Sequence, residues 1–179
     1  MSRESHGHSC LSAPGAGSPH HLTAELFRGK TGLSMVHVPY RGAAPAVQDV
    51  AGGQVPFMFV DTAAGMAFIN AGRLRAIGIA SPKRIANFET IPTLDEQGLK
   101  GFEAFAWQGL VAPSGTPPEV IARLNKALVE ALDTTAVKAR FQVLGLQVTP
   151  ETPAQMVSYA STEREKWSRV IRASGITLD

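Results

Sequence analysis

Between residues 35 and 80 the chain repeats one pattern: a short β-rich run, a turn of small residues, then a helix-length segment. Met35-Val36-His37-Val38 reads as a strand ended by Pro39, and residues 43–51 as a helix with Val47 and Val50 inward. Residues 55–60 form a near-continuous apolar run. Thr62 reads as the cap of a helix that carries Met66 and Ile69 and closes at Gly72, with residues 74–80 (LRAIGIA) as a further strand. Strands separated by single helices require crossover connections, which predicts an α/β fold with a parallel sheet and helices on its faces. Ahead of this region Ser18-Pro19 opens a helix, with the hydroxyl as cap, proline in the first turn, Leu22, Leu26 and Phe27 on the apolar face, and Gly32 at the stop. Residues 9–17 make a poor strand, so residues 1–13 read as a disordered His-rich tail.

Beyond residue 101 the balance changes. Residues 102–112 (FEAFAWQGLVA) form a single strand-like run, after a segment able to hold one short helix over residues 93–97. Three helices follow. The first opens at Thr116-Pro117-Pro118-Glu119 with Ile121, Leu124 and Leu128 inward; the second follows Asp133; the third opens at the capping box Thr152-Pro153-Ala154-Gln155 and ends at Gly175. A lone strand cannot satisfy its backbone groups or cover both its faces. Its neighbours must come from the first half, from another chain, or from sequence outside these 179 residues.

Composition removes several classes. Apolar residues are 44% and charged residues 18%, with 17 Gly and 12 Pro: too apolar for a disordered chain, too interrupted for a coiled coil. The single cysteine excludes a disulfide scaffold. Lys and Arg total 17 against 15 acids, with no basic stripe, so no nucleic-acid partner is expected. Met1 to Cys10 lacks the apolar core of a secretory signal. Residues 55–72 are apolar but carry Asp61, and a central aspartate costs a spanning helix about 2.5–3.5 kcal/mol, so no membrane insertion is expected.

The candidate chemistry sits on three turns. Gly15-Ala16-Gly17-Ser18-Pro19, Tyr40-Arg41-Gly42-Ala43-Ala44-Pro45 and Asp61-Thr62-Ala63-Ala64 each lead a strand into a helix start. In a parallel sheet such turns share one end, where open α/β folds bind ligands. Orphan amides and the helix dipole favour an anion there. The expected ligand residues are Gly17, Ser18, Tyr40, Gly42, Ala43, Ala44, Asp61 and Thr62, with the hydroxyls of Ser18, Tyr40 and Thr62 as donors. Asp61 would repel a carboxylate unless it takes an amine or hydroxyl of the ligand, or caps the following helix. Two other readings are open: a hydrolase-like enzyme pairing Ser18 with His21, and a non-binding interaction module docking through the strand near Trp107. The first lacks a G-x-S-x-G elbow. His6, His8, Cys10, His20 and His21 have no framework that would fix metal geometry, so neither metal nor cofactor is expected.

The run Gly15-Ala16-Gly17-Ser18-Pro19-His20-His21-Leu22, then Met35-Val36-His37-Val38-Pro39-Tyr40-Arg41-Gly42, resembles a known family. So do Gly53-Gln54-Val55, Met58-Phe59-Val60-Asp61, Ala71-Gly72-Arg73-Leu74-Arg75-Ala76, Ser81-Pro82-Lys83-Arg84, Ile91-Pro92-Thr93 and Gly109-Leu110-Val111-Ala112-Pro113-Ser114-Gly115-Thr116-Pro117. In this order they are similar to the Bug solute receptors of tripartite tricarboxylate transporters. The resemblance implies a periplasmic, non-catalytic receptor of type II periplasmic-binding-protein architecture. Its two α/β lobes would close on a small carboxylate or amino-acid-like ligand and deliver it to a membrane permease. Residues 14–103 correspond to the second lobe and residues 104–179 to the C-terminal part of the first. The family's export signal and the opening βα units of the first lobe have no counterpart here, which implies an incomplete first lobe.

Overall fold

The computed structural model describes residues 9–15, 17–85 and 88–176, without the side chains of residues 9–14. Its sheet has three parallel strands in the order β2-β1-β3: β1 (Ser9–Pro14), β2 (Met35–Tyr40) and β3 (Phe57–Met58). Between them run α1 (Pro19–Thr31) and α2 (Ala43–Ala51), and α3 (Thr62–Asn70) follows β3.

The expectation of a disordered tail through residue 13 is overturned for residues 9–13. Ser9–Pro14 is the central strand, in register with Met35–Tyr40 on one side and, through Leu11 and Ser12, with Phe57 and Met58 on the other. A strand flanked on both sides gains ladder bonds whatever its intrinsic propensity. Residues 1–8, with His6 and His8, lie outside the described residues. Pro39 does not end β2 but lies within it, opposite Ala13; β2 is an edge strand, where a missing N–H is tolerated. The run 55–60 contributes only Phe57 and Met58 to the ladder, entered from Pro56 and left toward the start of α3.

The helix boundaries follow local chemistry. Ser18 caps α1 by accepting from the His21 amide, and Gly32 ends it in a left-handed conformation. The buried stripe of α1, however, runs through His21, Thr23 and Ala24, while Leu22, Leu26 and Phe27 are half-buried. Phe27 meets Phe57, Phe59 and Phe102 edge-on at 5.6–6.4 Å. Phe59 stacks on Phe102 at 6.2 Å. This aromatic cluster anchors α1 against β3 and residue 102, and Ala46, Val47 and Val55 are buried as well.

The remaining β expectations contract to isolated pairings. Of residues 74–80, only Ile79 forms a bridge, to Thr93, and Ala80 accepts from the Ala104 amide at 2.8 Å. Residues 102–112 form no strand. The predicted helix over residues 93–97 is a set of turns, held by reciprocal bonds between Thr93 and Glu96.

Three helices complete the chain: α4 (Pro118–Asp133), α5 (Thr135–Val143) and α6 (Pro153–Ser174). Pro117, not Thr116, stands at the cap of α4, and no side chain bonds there; the capping box at Thr152 and Gln155 forms as expected. α6 lies against α1. Trp107 packs edge-on against Tyr159 of α6 at 5.6 Å, and the rest of this region is thinly covered. Neither α4 nor α5 has a buried residue, and the expected inward positions Leu124 and Leu128 are exposed, as are Leu110, Val111, Val143 and Val157. The chain exposes 12209 Å² for its 19.0 kDa, whereas a compact monomer of this mass exposes about 8,400 Å².

Candidate ligand-binding site

Because β1, β2 and β3 are parallel, the turns that follow them emerge at the same sheet edge. The chain passes from β2 across β1 to β3, so connections leave in opposite directions on the two sides of the β1–β3 crevice. Such a reversal opens a crevice at the strand ends in doubly wound sheets. The three predicted turns therefore share one rim, with the turn at Gly17-Ser18 and that at Asp61-Thr62 on either side of the crevice.

Two contacts tie the rim together. The Gly15 amide donates to the Tyr40 carbonyl at 3.0 Å, joining the first turn to the second. His20 Nε2 on α1 lies 3.3 Å from Asp61 Oδ2 before α3, at ion-pair distance though off hydrogen-bond alignment, joining the first turn to the third. That contact from His20 holds the Asp61 carboxyl below the usual carboxylate range, against the upward push of partial burial. Asp61 thus stays ionised at the mouth of the crevice.

Gly42 stands at the start of α2 with φ 109° and ψ 172°, a region that only glycine occupies without strain. No atom lies within 4 Å of where its Cβ would be, so the backbone, rather than crowding, requires glycine and leaves open space above the turn. The starts of α2, at Gly42, and α3, at Asp61, have no side-chain cap. Early amides at Ala43, Ala44, Thr62 and Ala63 are in the positions that helices leave without intrahelical acceptors. Asp61 does not cap α3, contrary to one of its expected roles.

The hydroxyls depart from expectation. The Tyr40 O–H donates to Asp49 Oδ2 at 2.7 Å, folding the ring back onto α2. The Thr62 O–H donates to the Leu144 carbonyl at 3.2 Å, binding the end of α5 to the start of α3. Only Ser18 among the three keeps its proton available, since its oxygen accepts from the His21 amide. The Tyr40 and Thr62 hydroxyls are thus engaged within the protein, contrary to the expectation that they donate to a ligand. Arg41 is exposed.

The Ser18–His21 pair does not form a nucleophile–base dyad. Ser18 Oγ bonds the His21 backbone amide, while the ring's Nδ1 accepts from the Gly17 amide at 3.1 Å. The ring stacks on His37, with centroids 3.8 Å apart. His20 and His21 point to different partners, and among the described residues no group of three or more His, Cys, Asp and Glu could hold a metal ion. Sequence reasoning missed both the His20–Asp61 bridge and the His21–Gly17 bond; the signal available was a pair of histidines one turn past a glycine bend. Concavities of about 330 and 260 Å³ lie along α6 and between α1 and α6, and neither is lined by a rim residue.

Comparison with known proteins identifies the family. The model of the tripartite tricarboxylate transporter family receptor matches residues 2–176. Protein BugT of Bordetella pertussis is 37% identical over 90% of this chain and 50% of its own length. The UPF0065 protein in the clcB-clcD intergenic region of Pseudomonas knackmussii is 32% identical over 88% of this chain and 94% of its own. Among solved structures, R. palustris Rpa4515 with adipate superposes with a TM-score of 0.81 at 29% identity, covering 94% of this chain and 56% of that one. MatC from Rhodopseudomonas palustris with bound malate gives 0.74 at 31%, covering 94% and 58%. The periplasmic binding protein BugD gives 0.77 at 30%, covering 95% and 57%. The chain thus spans about half the length of BugT and of these solved receptors. BugD among these neighbours is a periplasmic binding protein, and no helix among the described residues is long and apolar enough to cross a membrane. Its fold is that of the periplasmic binding proteins in part, and the chain belongs to the tripartite tricarboxylate transporter receptor family.

Proposed function

We propose that this chain carries the carboxylate-holding edge of a solute receptor and catalyses nothing. The observation that carries the reading is the convergence of three βα turns on one rim, two of whose helix starts lack side-chain caps. The amides of Ala43, Ala44 and Thr62 and the hydroxyl of Ser18 would bind one carboxylate group, partly through water. Gly17, Gly42 and Tyr40 shape the approach. Asp61 favours ligands with a hydroxyl or amine near the carboxylate and disfavours densely anionic ones. The adipate and malate carried by two neighbours make small dicarboxylates the first candidates.

In this reading residues 14–103 act as the second lobe, with β1 extending it to residue 9, and residues 104–179 supply the closing part of the first. The exposed apolar stripes of α4 to α6 are the surface that a complete first lobe would cover. The receptor would work in the periplasm and hand its ligand to a membrane permease. Titration calorimetry with adipate, malate and small amino acids tests the binding directly, with a full-length relative as positive control. Saturable one-to-one heat with a dicarboxylate is expected; absence of heat across the panel, with the control binding, overturns the reading.

A further inference from the structure

His21 is a buried ring that the binding reading does not use, and its surroundings are specific. It is 8% exposed. Its Nδ1 accepts the Gly17 N–H at 3.1 Å, while its own amide donates to Ser18 Oγ at 3.2 Å. One residue thus closes the glycine turn from both sides, by its ring and by its backbone. An imidazole nitrogen accepts only when it carries no proton, so the structure requires His21 neutral, with its proton on Nε2. One ring face lies on His37 of β2, 3.8 Å between centroids and 10° from parallel.

We propose that His21 is the positioning residue of the Gly17-Ser18 turn, holding it through an acceptor that only the neutral ring offers, so that protonating His21 releases the turn. This rests on the receptor reading for its consequence, but not for its geometry. A protonated Nδ1 would set an N–H against the Gly17 N–H, and the stacked His37 makes a second positive charge costly.

The groups around the ring act in the same sense with one exception. Burial and His37 hold the His21 pKa below its ordinary value, and Glu25 of α1, 3.9 Å from Nε2, pulls it up. Glu25 is itself engaged by Arg28, at 2.8 Å to Nε and 2.6 Å to a terminal nitrogen. From α6, Arg169 lines the groove beside Glu25, and β1 carries no Asp, Glu, His, Lys or Arg. His20, next in sequence, is directed to Asp61 of α3. Because the folded pKa lies below the unfolded one, the native state binds fewer protons in the window between them. The contribution of His21 to stability is present in full above about pH 6.5 and is lost as the pH falls through the folded pKa.

The test follows ¹⁵N-labelled protein by NMR from about pH 8 to about pH 5. Expected at high pH is an unprotonated, hydrogen-bonded His21 Nδ1 with a downfield Gly17 amide proton, which moves upfield in one step sharing the His21 midpoint. His21→Asn places a non-titrating oxygen near the Nδ1 position and should abolish the step while keeping the downfield shift. His37→Phe preserves a stacked ring without a charge and should move the step to higher pH. Adipate affinity, measured alongside and referred to the ligand's ionised form at each pH, should fall about fivefold across the step in the native chain, the loss of one ordinary hydrogen bond, and stay level in His21→Asn. A Gly17 amide that ignores the His21 titration, or a protonated Nδ1 at high pH, overturns the proposal. If no variant takes up adipate, the receptor reading fails, while the amide titration still decides the role of His21.

Discussion

Replacing Phe102 by alanine is expected to remove about 3–5 kcal/mol of stability, a large share of the total of about 5–15 kcal/mol typical of a domain. Phe102 is fully buried and is the largest such side chain among the described residues, stacked on Phe59 and edge-on to Phe27. The buried apolar set among the described residues is short: Ala24, Ala46, Val47, Val55, Phe88, Phe102 and Ala104. With so few members, no neighbour can collapse into the space that the ring leaves. Phe102→Leu, which keeps most of the volume, should cost less than about 1.5 kcal/mol. Val111→Ala, at a side chain 81% exposed, should cost under about 0.5 kcal/mol. Urea unfolding followed by circular dichroism ranks the three. Equal losses for Phe102→Ala and Val111→Ala would mean that the centre of the fold lies elsewhere.

Ala44→Asp should separate binding from stability in the opposite way. Ala44 is exposed at the second position of α2, whose start has no side-chain cap. An acid there opposes the positive end of the helix dipole and adds about 0.3–1 kcal/mol to stability. The same charge stands where a ligand carboxylate would be held. At about 4 Å under surface-like screening, two like charges repel by about 4 kcal/mol, and a third of that removes about tenfold of affinity. The expected outcome is a melting temperature unchanged or raised, with dicarboxylate affinity lowered by more than about tenfold. Ala44→Asn, similar in size and uncharged, controls for bulk. Native affinity in Ala44→Asp would take the start of α2 out of the binding edge.

What was legible in the sequence is what local chemistry decides. Ser18-Pro19, the Thr152–Gln155 box and the stops at Gly32 and Gly175 are written within one turn of chain, and each forms as read. The run Ser9–Pro14 was illegible as a strand because SCLSAP has neither alternation nor β-branched residues; its place between β2 and β3 makes it one. Residues 74–80 and 102–112 show the converse, with strand-like composition and no continuous neighbour to pair with. At the rim, the common edge followed from parallel strands alone. The hydroxyl directions could not, because Thr62 donates to a carbonyl 82 residues away and Tyr40 turns to Asp49 on the next helix. Sequence alone leaves His20 a rejected metal ligand and His21 a candidate base, whereas packing sets His20 3.3 Å from Asp61 and His21 Nδ1 on the Gly17 amide.

The account depends most on the claim that one anion engages all three turns together. Titrating ¹⁵N-labelled chain with adipate while recording amide shifts tests it. The amides of Ser18, Ala43, Ala44 and Thr62 should move with a single shared dissociation constant, while those of α4 and α5 stay still. Shifts confined to one turn, or concentrated on α4 to α6 with the rim silent, would contradict it.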